Sequence, residues 1–183
     1  MAWLLTIGVN GLIPNDFPVV NLPGSSLAAA LTTGSIDAAV VWEPFPALME
    51  QQKTGRIIQQ FAKFVSDVAM VQTLVSTVEK RRDDVVKMLA GVLDCQDFIR
   101  QRPQEAAAII SQGMAARGLE VPEAAFEVVV KDRLKWTPDL ANVQDSLTKI
   151  GDIALKLGMI KQAPVFSMHQ DVLDEAKQLQ KKS

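Results

Sequence analysis

The apolar positions of this chain follow two rhythms, and the change between them falls near Thr77. Before it, short apolar runs alternate with small-residue or proline-led segments. "AWLLTIGVNGL" has helical spacing and stops at Asn-Gly; "IPNDFP" reads as a loop and "VVNL" as a short strand. "PGSS" breaks the chain ahead of "LAAALTTG", a helix of small residues ending at Gly34. "IDAAVVW" is of strand type, bounded by Gly34 and Pro44, and "EPFPALMEQQKTG" suits a helix whose prolines sit in its first turn, where a missing N–H does no harm. "RIIQQF" and the longer "VAMVQTLVST" are further strand candidates. Strand and short helix in alternation predict a short parallel-type sheet with crossover helices, an α/β arrangement.

Beyond Thr77 the period becomes helical. "RRDDVVKMLAGVLDCQDFIRQR" places Val85, Val86, Leu89, Val92, Leu93 and Ile99 on one face of a long amphipathic helix. "PQEAAAIISQGMAARG" starts on Pro103 and ends at Gly118, and "PEAAFEVVVKDRL" continues as helix, although "EVVV" alone also suits a strand. "TPDLANVQDSLTKIGDIALKLG" opens on a threonine cap and closes at Gly158; "SMHQDVLDEAKQLQ" is a last helix with a serine cap. The second half is therefore mostly helical, with no internal repeat and no low-complexity tract.

Bulk properties narrow the function classes. A chain of 183 residues buries about two thirds of its unfolded surface, enough for a core without staples. The formal net charge is −2, and the clustered cations Lys80, Arg81 and Arg82 are followed at once by Asp83 and Asp84. That run reads as a solvated helix start, which argues against nucleic acid as a partner. The single Cys95 excludes an internal disulfide and, within an apolar helical pattern, reads as a small buried hydrophobe. A nucleophilic role would need a base, and the single His169 sits in a distant polar segment. Metal binding lacks the Cys/His density it needs, so no cofactor is expected. The methionines are scattered, as core filler is. No apolar run reaches membrane-spanning length, and the start is neither basic nor long enough for a secretion signal.

Two stretches carry candidate chemistry. In "NLPGSSLAAAL" a Gly-Ser-Ser turn enters a helix, so Ser25 and Ser26 either bind an anion with their hydroxyls and the helix N–H groups or simply cap the helix. It is not a P-loop, because the lysine and second glycine are missing. In "VVWEPF" Trp42 ends an apolar run, where ligands gather in open α/β sheets. Trp42 serves either as an apolar pocket wall or as packing between lobes. Glu43 either takes a ligand amine or stabilises the first turn of the next helix. The paired carboxylates Asp83–Asp84 and Asp171–Asp174 lie in solvated helical patterns, and Trp136 reads as a hydrophobic staple.

Together, Gly11, Leu12 and Asp16, the segment "ALTTGSIDAAVVWEP" from Ala30 to Pro44, "RPQEAAAI" from Arg102 to Ile109, and "LGMI" from Leu157 to Ile160 resemble a known family. It is the solute-binding proteins of bacterial ABC importers, in the nitrate, sulfonate, taurine and thiamine-precursor group. The resemblance implies a partial type II periplasmic-binding-protein fold, with residues 1–66 as the remainder of the second, cleft lobe. Residues 67–183 then form the hinge strand and the carboxyl-terminal helices that normally pack on the first lobe. It implies a small-molecule anion as ligand, with Ser25, Ser26, Trp42 and Glu43 lining the cleft, an ABC permease as partner of the full-length protein, and no covalent chemistry. The location it implies is periplasmic or extracellular, against a cytoplasmic one if Met1 is the true start. Members are usually longer, with a first lobe ahead of this region. Helices lacking that lobe must cover their apolar faces, so a homo-oligomer, by helix exchange between protomers, is expected. Two other readings stay open: a structural or interaction protein that keeps the fold without a ligand, and an enzyme like the thiamine-pyrimidine synthases, which a single histidine suits poorly.

Overall fold

The computed structural model describes residues 16–61, 70–134, 140 and 143–181. Helices α1 (Leu27–Thr32), α2 (Phe45–Gln51), α3 (Val75–Lys80), α4 (Arg82–Gln101), α5 (Pro103–Ala115), α6 (Glu123–Val128), α7 (Val143–Lys156) and α8 (Gln170–Gln180) follow one another. A 3₁₀ turn, Gly24–Ser26, leads into α1, and a π-helical turn, Val129–Arg133, continues α6.

The helix ends obey local chemistry. Pro103 opens α5 and Pro46 lies in the first turn of α2, where the absent N–H is not needed. Gly34, Gly118 and Gly158 adopt φ of 69°, 82° and 68° just past α1, α5 and α7, the left-handed conformation that closes a helix. Lys53 takes the same role after α2 with φ 55°, and the Thr54 N–H and hydroxyl both reach back to the Met49 carbonyl. At α8 the residue before the first turn is His169, and no side chain caps it, so the expected serine cap is not used.

The expected α/β architecture is corrected by the structure: no strand is present among the described residues. "VVNL", "IDAAVVW" and "RIIQQF" run without regular structure, and "VAMVQTLVST" enters α3 at Val75, its first two residues lying outside the described ones. The physical reason lies in pairing. A strand's N–H and C=O groups need a neighbouring strand, and no described segment supplies one. The apolar side chains of these runs stay exposed as a result: Val20 is 62% and Ile58 77% accessible. The amino-terminal helix expected over "AWLLTIGVNGL" lies outside the described residues.

The chain divides into two compact units, each with its own core. One takes the described residues up to 60 together with 98–134. Its core is Ala47 from α2, Ala107 from α5, Ala125 and Phe126 from α6, Val129 and Val130 from the π turn, and Val121 from the connecting loop. Ala107 and Ala125 are fully buried; with only a methyl group at those positions, helix backbones come close enough to exclude water. Leu48, Ile99, Ile110, Met114 and Leu119 close the edges. The α5–α6 loop is fastened by the Ser111 hydroxyl, which donates to the Val121 carbonyl at 2.7 Å.

The other unit takes residues 61–97 and the described residues from 140 onward. Val86, Ala90 and Leu93 on α4 pack against Val172, Leu173 and Ala176 on α8, with Val78 of α3 completing the cluster. The face expected for the long helix is thus turned slightly: Val85 and Leu89 sit at its margin, Val92 is exposed, and Ile99 joins the other core. Cys95 is exposed, not buried. Hydrogen bonds fix the register of α4 and α8, which run in the same direction. At their starts the Arg82 guanidinium donates to Asp171 Oδ2 at 2.6 Å and Glu175 Oε1 at 2.7 Å. Further along, the Gln180 amide donates to Asp97 Oδ2 at 2.7 Å.

The Arg82 clamp sets a pH dependence. The hydrogen bonds that Arg82 donates to Glu175 and then to Asp171 hold its pKa above its ordinary value. The hydrogen bond from Arg82, partly opposed by desolvation, holds the Asp171 carboxyl below its own. The Asp171 contribution is therefore complete above the unfolded carboxyl pKa, about 3.9, and is lost as pH falls through the lower folded value. In thermal melts, the advantage of the native chain over Arg82→Met should be constant above about pH 5 and shrink below about pH 4. An advantage that grew on acidification would contradict the clamp.

Candidate functional site

The two candidate stretches meet in the first unit across one aromatic ring. Pro23, with φ −59°, starts the 3₁₀ turn, and its carbonyl accepts the Ser26 N–H at 2.9 Å. Ser25 and Ser26 are exposed, while Leu27 anchors the turn to the core side. Ser26 is the N-cap residue of α1 but makes no side-chain capping bond. Gly24 lies flat against the Phe45 ring; a Cβ built there would stand 2.6 Å from Phe45 Cε2. The same ring meets Trp42 in a T-shaped arrangement, with centroids 6.5 Å apart and planes at 77°, a favourable aromatic geometry.

Trp42 itself is 72% exposed. Its carbonyl accepts the Phe45 N–H at 3.3 Å, closing the turn in which Glu43 and the buried Pro44 lie. Glu43 turns inward. Its Oε2 accepts the Ala47 N–H at 3.3 Å in the first turn of α2, and its Oε1 accepts from Arg133 Nη1. The first-turn role foreseen for Glu43 is therefore present, with an ion pair added. The other arm of Arg133, Nη2, donates to Glu50 at the far end of α2. Burial works against the Arg133 charge, but the hydrogen bonds it donates to Glu43 and Glu50 outweigh it and the net shift is upward. The group carries one positive and two negative charges.

Reasoning from sequence missed Phe45, Glu50 and Arg133. Glu43 lies two residues ahead of α2 and Glu50 near its end, seven positions on, a spacing close to two helical turns that was a usable signal. Nothing local announces Arg133, ninety positions from Glu43. A separate cavity of about 280 Å³, lined by Asp83, Val86, Lys87, Glu175, Gln178 and Leu179, lies between α4 and α8 in the other unit and includes none of the expected site residues. Among the described residues no cluster of His, Cys, Asp or Glu is suited to a metal ion, and no helix is long and apolar enough to cross a membrane.

Comparison with known proteins places this site in a lineage. Residues 2–115 match the sequence profile of the NMT1-like family, a stretch that contains the Gly-Ser-Ser turn, "ALTTGSIDAAVVWEP" and "RPQEAAAI". The chain belongs to the NMT1-like family, and the resemblance to ABC-importer solute-binding proteins of the nitrate, sulfonate and taurine group holds. It is 22% identical over 173 residues to proteins of Brucella abortus (strain 2308), Brucella suis biovar 1 and Brucella melitensis biotype 1, each described as a candidate binding protein. The match covers 88% of this chain and 52% of each relative. The chain thus spans about half the length of the curated relatives it matches. No solved structure matches the chain significantly. The family and its relatives point to solute binding and not to catalysis.

The Gly24–Phe45 approach yields a direct test of the site's construction. Gly24→Ala forces the ring to move, which should cost about 1–3 kcal/mol in urea unfolding and alter the fluorescence of Trp42. An unchanged unfolding midpoint would show that the two turns do not meet across Phe45.

Proposed function

We propose that this chain is part of the solute-binding receptor of an ABC importer for a small organic or inorganic anion, such as a sulfonate or nitrate. The observation that carries the reading is the family match, which includes the whole "IDAAVVWEP" segment. The geometry of the first unit supports it. Ser25 and Ser26 offer exposed hydroxyl donors beside the Trp42–Phe45 aromatic pair. A carboxylate accepts at several lone pairs, so Glu43, although paired with Arg133, retains capacity for a ligand amine. A zwitterionic aminosulfonate would satisfy both ends at once. In the full-length protein, closure of two lobes around the solute would signal occupancy to a permease from the periplasmic or extracellular side.

A second reading is favoured by the exposed apolar runs: a structural or interaction protein that covers Val19, Val20, Ile58 and Leu74 against a second copy. One screen separates the two. Taurine, alkyl and aryl sulfonates, nitrate and pyrimidines are added at millimolar concentration, and the melting temperature is recorded beside the light-scattering mass. A solute at about 100 times its Kd stabilises by about 2.7 kcal/mol, a rise of several degrees. Such a rise, abolished in Trp42→Ala, supports the receptor. No response from a cleanly melting dimer supports the interaction protein.

A further inference from the structure

We infer that Arg133 is the positioning residue of the Trp42–Glu43–Pro44 turn. Of the binding reading this needs only the placement of Trp42 in the site. Arg133 lies beyond the stretch that matches the family profile, residues 2–115. It ends the π-helical turn Val129–Arg133, whose Val129 and Val130 are buried in the first unit's core. A π turn is a local widening of a helix that often re-aims a side chain. Here the guanidinium leaves a fixed core element and reaches Glu43 with one nitrogen and Glu50 with another. The Arg133 side chain is 16% accessible and the Glu43 side chain 25%, so the pairing is shielded from water more than an ordinary surface pair.

The consequences run along the chain from Glu43. With Oε1 held by Arg133, Oε2 faces the Ala47 N–H, and the Trp42 carbonyl meets the Phe45 N–H. Phe45 then sits between Gly24 and Trp42. The planar fork of arginine is what allows one side chain to hold two carboxylates at the two ends of α2; lysine, a point charge on a flexible stem, cannot reproduce it. Remove the fork and Glu43 is free to turn to solvent. The turn bearing Trp42 then loses the tether that the Glu43–Arg133 pair supplies.

Amide hydrogen exchange read by NMR tests this without any ligand. In Arg133→Met, exchange at Phe45, Ala47 and Leu48 should quicken by about tenfold, while amides of α5 keep their protection. Arg133→Lys should lie between, and Glu50→Gln should leave most of the effect of Arg133 intact. Unchanged exchange at these three amides in folded Arg133→Met overturns the inference. A uniform rise through α5 and α6 also overturns it, because that is the signature of lost core stability. Should Arg133→Met not fold, Arg133→Lys decides on the same two criteria. Failure of taurine and the other anions to shift the melting of the unaltered chain counts against the binding reading alone and leaves the exchange result to decide the positioning role.

Discussion

Close approach of helices at alanine is the constraint on which the rest of this structure depends. Ala47, Ala107 and Ala125 seat three helices of the first unit against one another, and Ala90 of α4 and Ala176 of α8 share the core of the second. A methyl group leaves the backbone near enough for neighbouring Leu, Val and Phe side chains to interlock without cavities. Among the described residues both cores combine fully buried alanines with larger side chains that are almost fully buried, Phe126 and Val129 in one and Leu93 and Val172 in the other. Ion pairs add fastening at helix ends: Arg82 across α4 and α8, Arg133 across α2 and the π turn.

The candidate site is a by-product of that fastening. Seating Ala47 in the core fixes α2, and α2 carries Phe45 at its first position and Glu50 near its last. Phe45 then becomes the shared wall on which the Gly-Ser-Ser turn and the Trp42 turn rest. The serine hydroxyls and the aromatic face thus come from segments some twenty residues apart in sequence, joined at the Phe45 ring that the second segment carries.

The exposed apolar runs fit the same account. Residues 19–22, 36–42 and 56–60 have the side chains of buried strands, yet among the described residues their backbones find no ladder, and Val19, Val20, Val40 and Ile58 face water while Ile36, Val41 and Ile57 are half-buried. Relatives about twice as long contain sequence that this chain does not. A strand is a contract between two segments, and periodicity in one of them says nothing about whether the other is present.

What the amino-acid sequence determined by itself is everything that depends on neighbours a few residues away. The helices over 82–101 and 103–115, the proline starts of α2 and α5, and the ends of α1, α5 and α7 at Gly34, Gly118 and Gly158 follow from local dihedral preference and the i to i+4 period. The family was legible for the same reason, because "IDAAVVWEP" is contiguous. Tertiary structure alone decided the rest. It left the expected strands unpaired, turned Cys95 outward although its helix pattern is apolar, and brought Arg133 to Glu43 and Gly24 to Phe45. Each of those outcomes turns on which distant surface a residue meets. Hydrogen bonding and burial are settled between surfaces, and no local pattern encodes the partner.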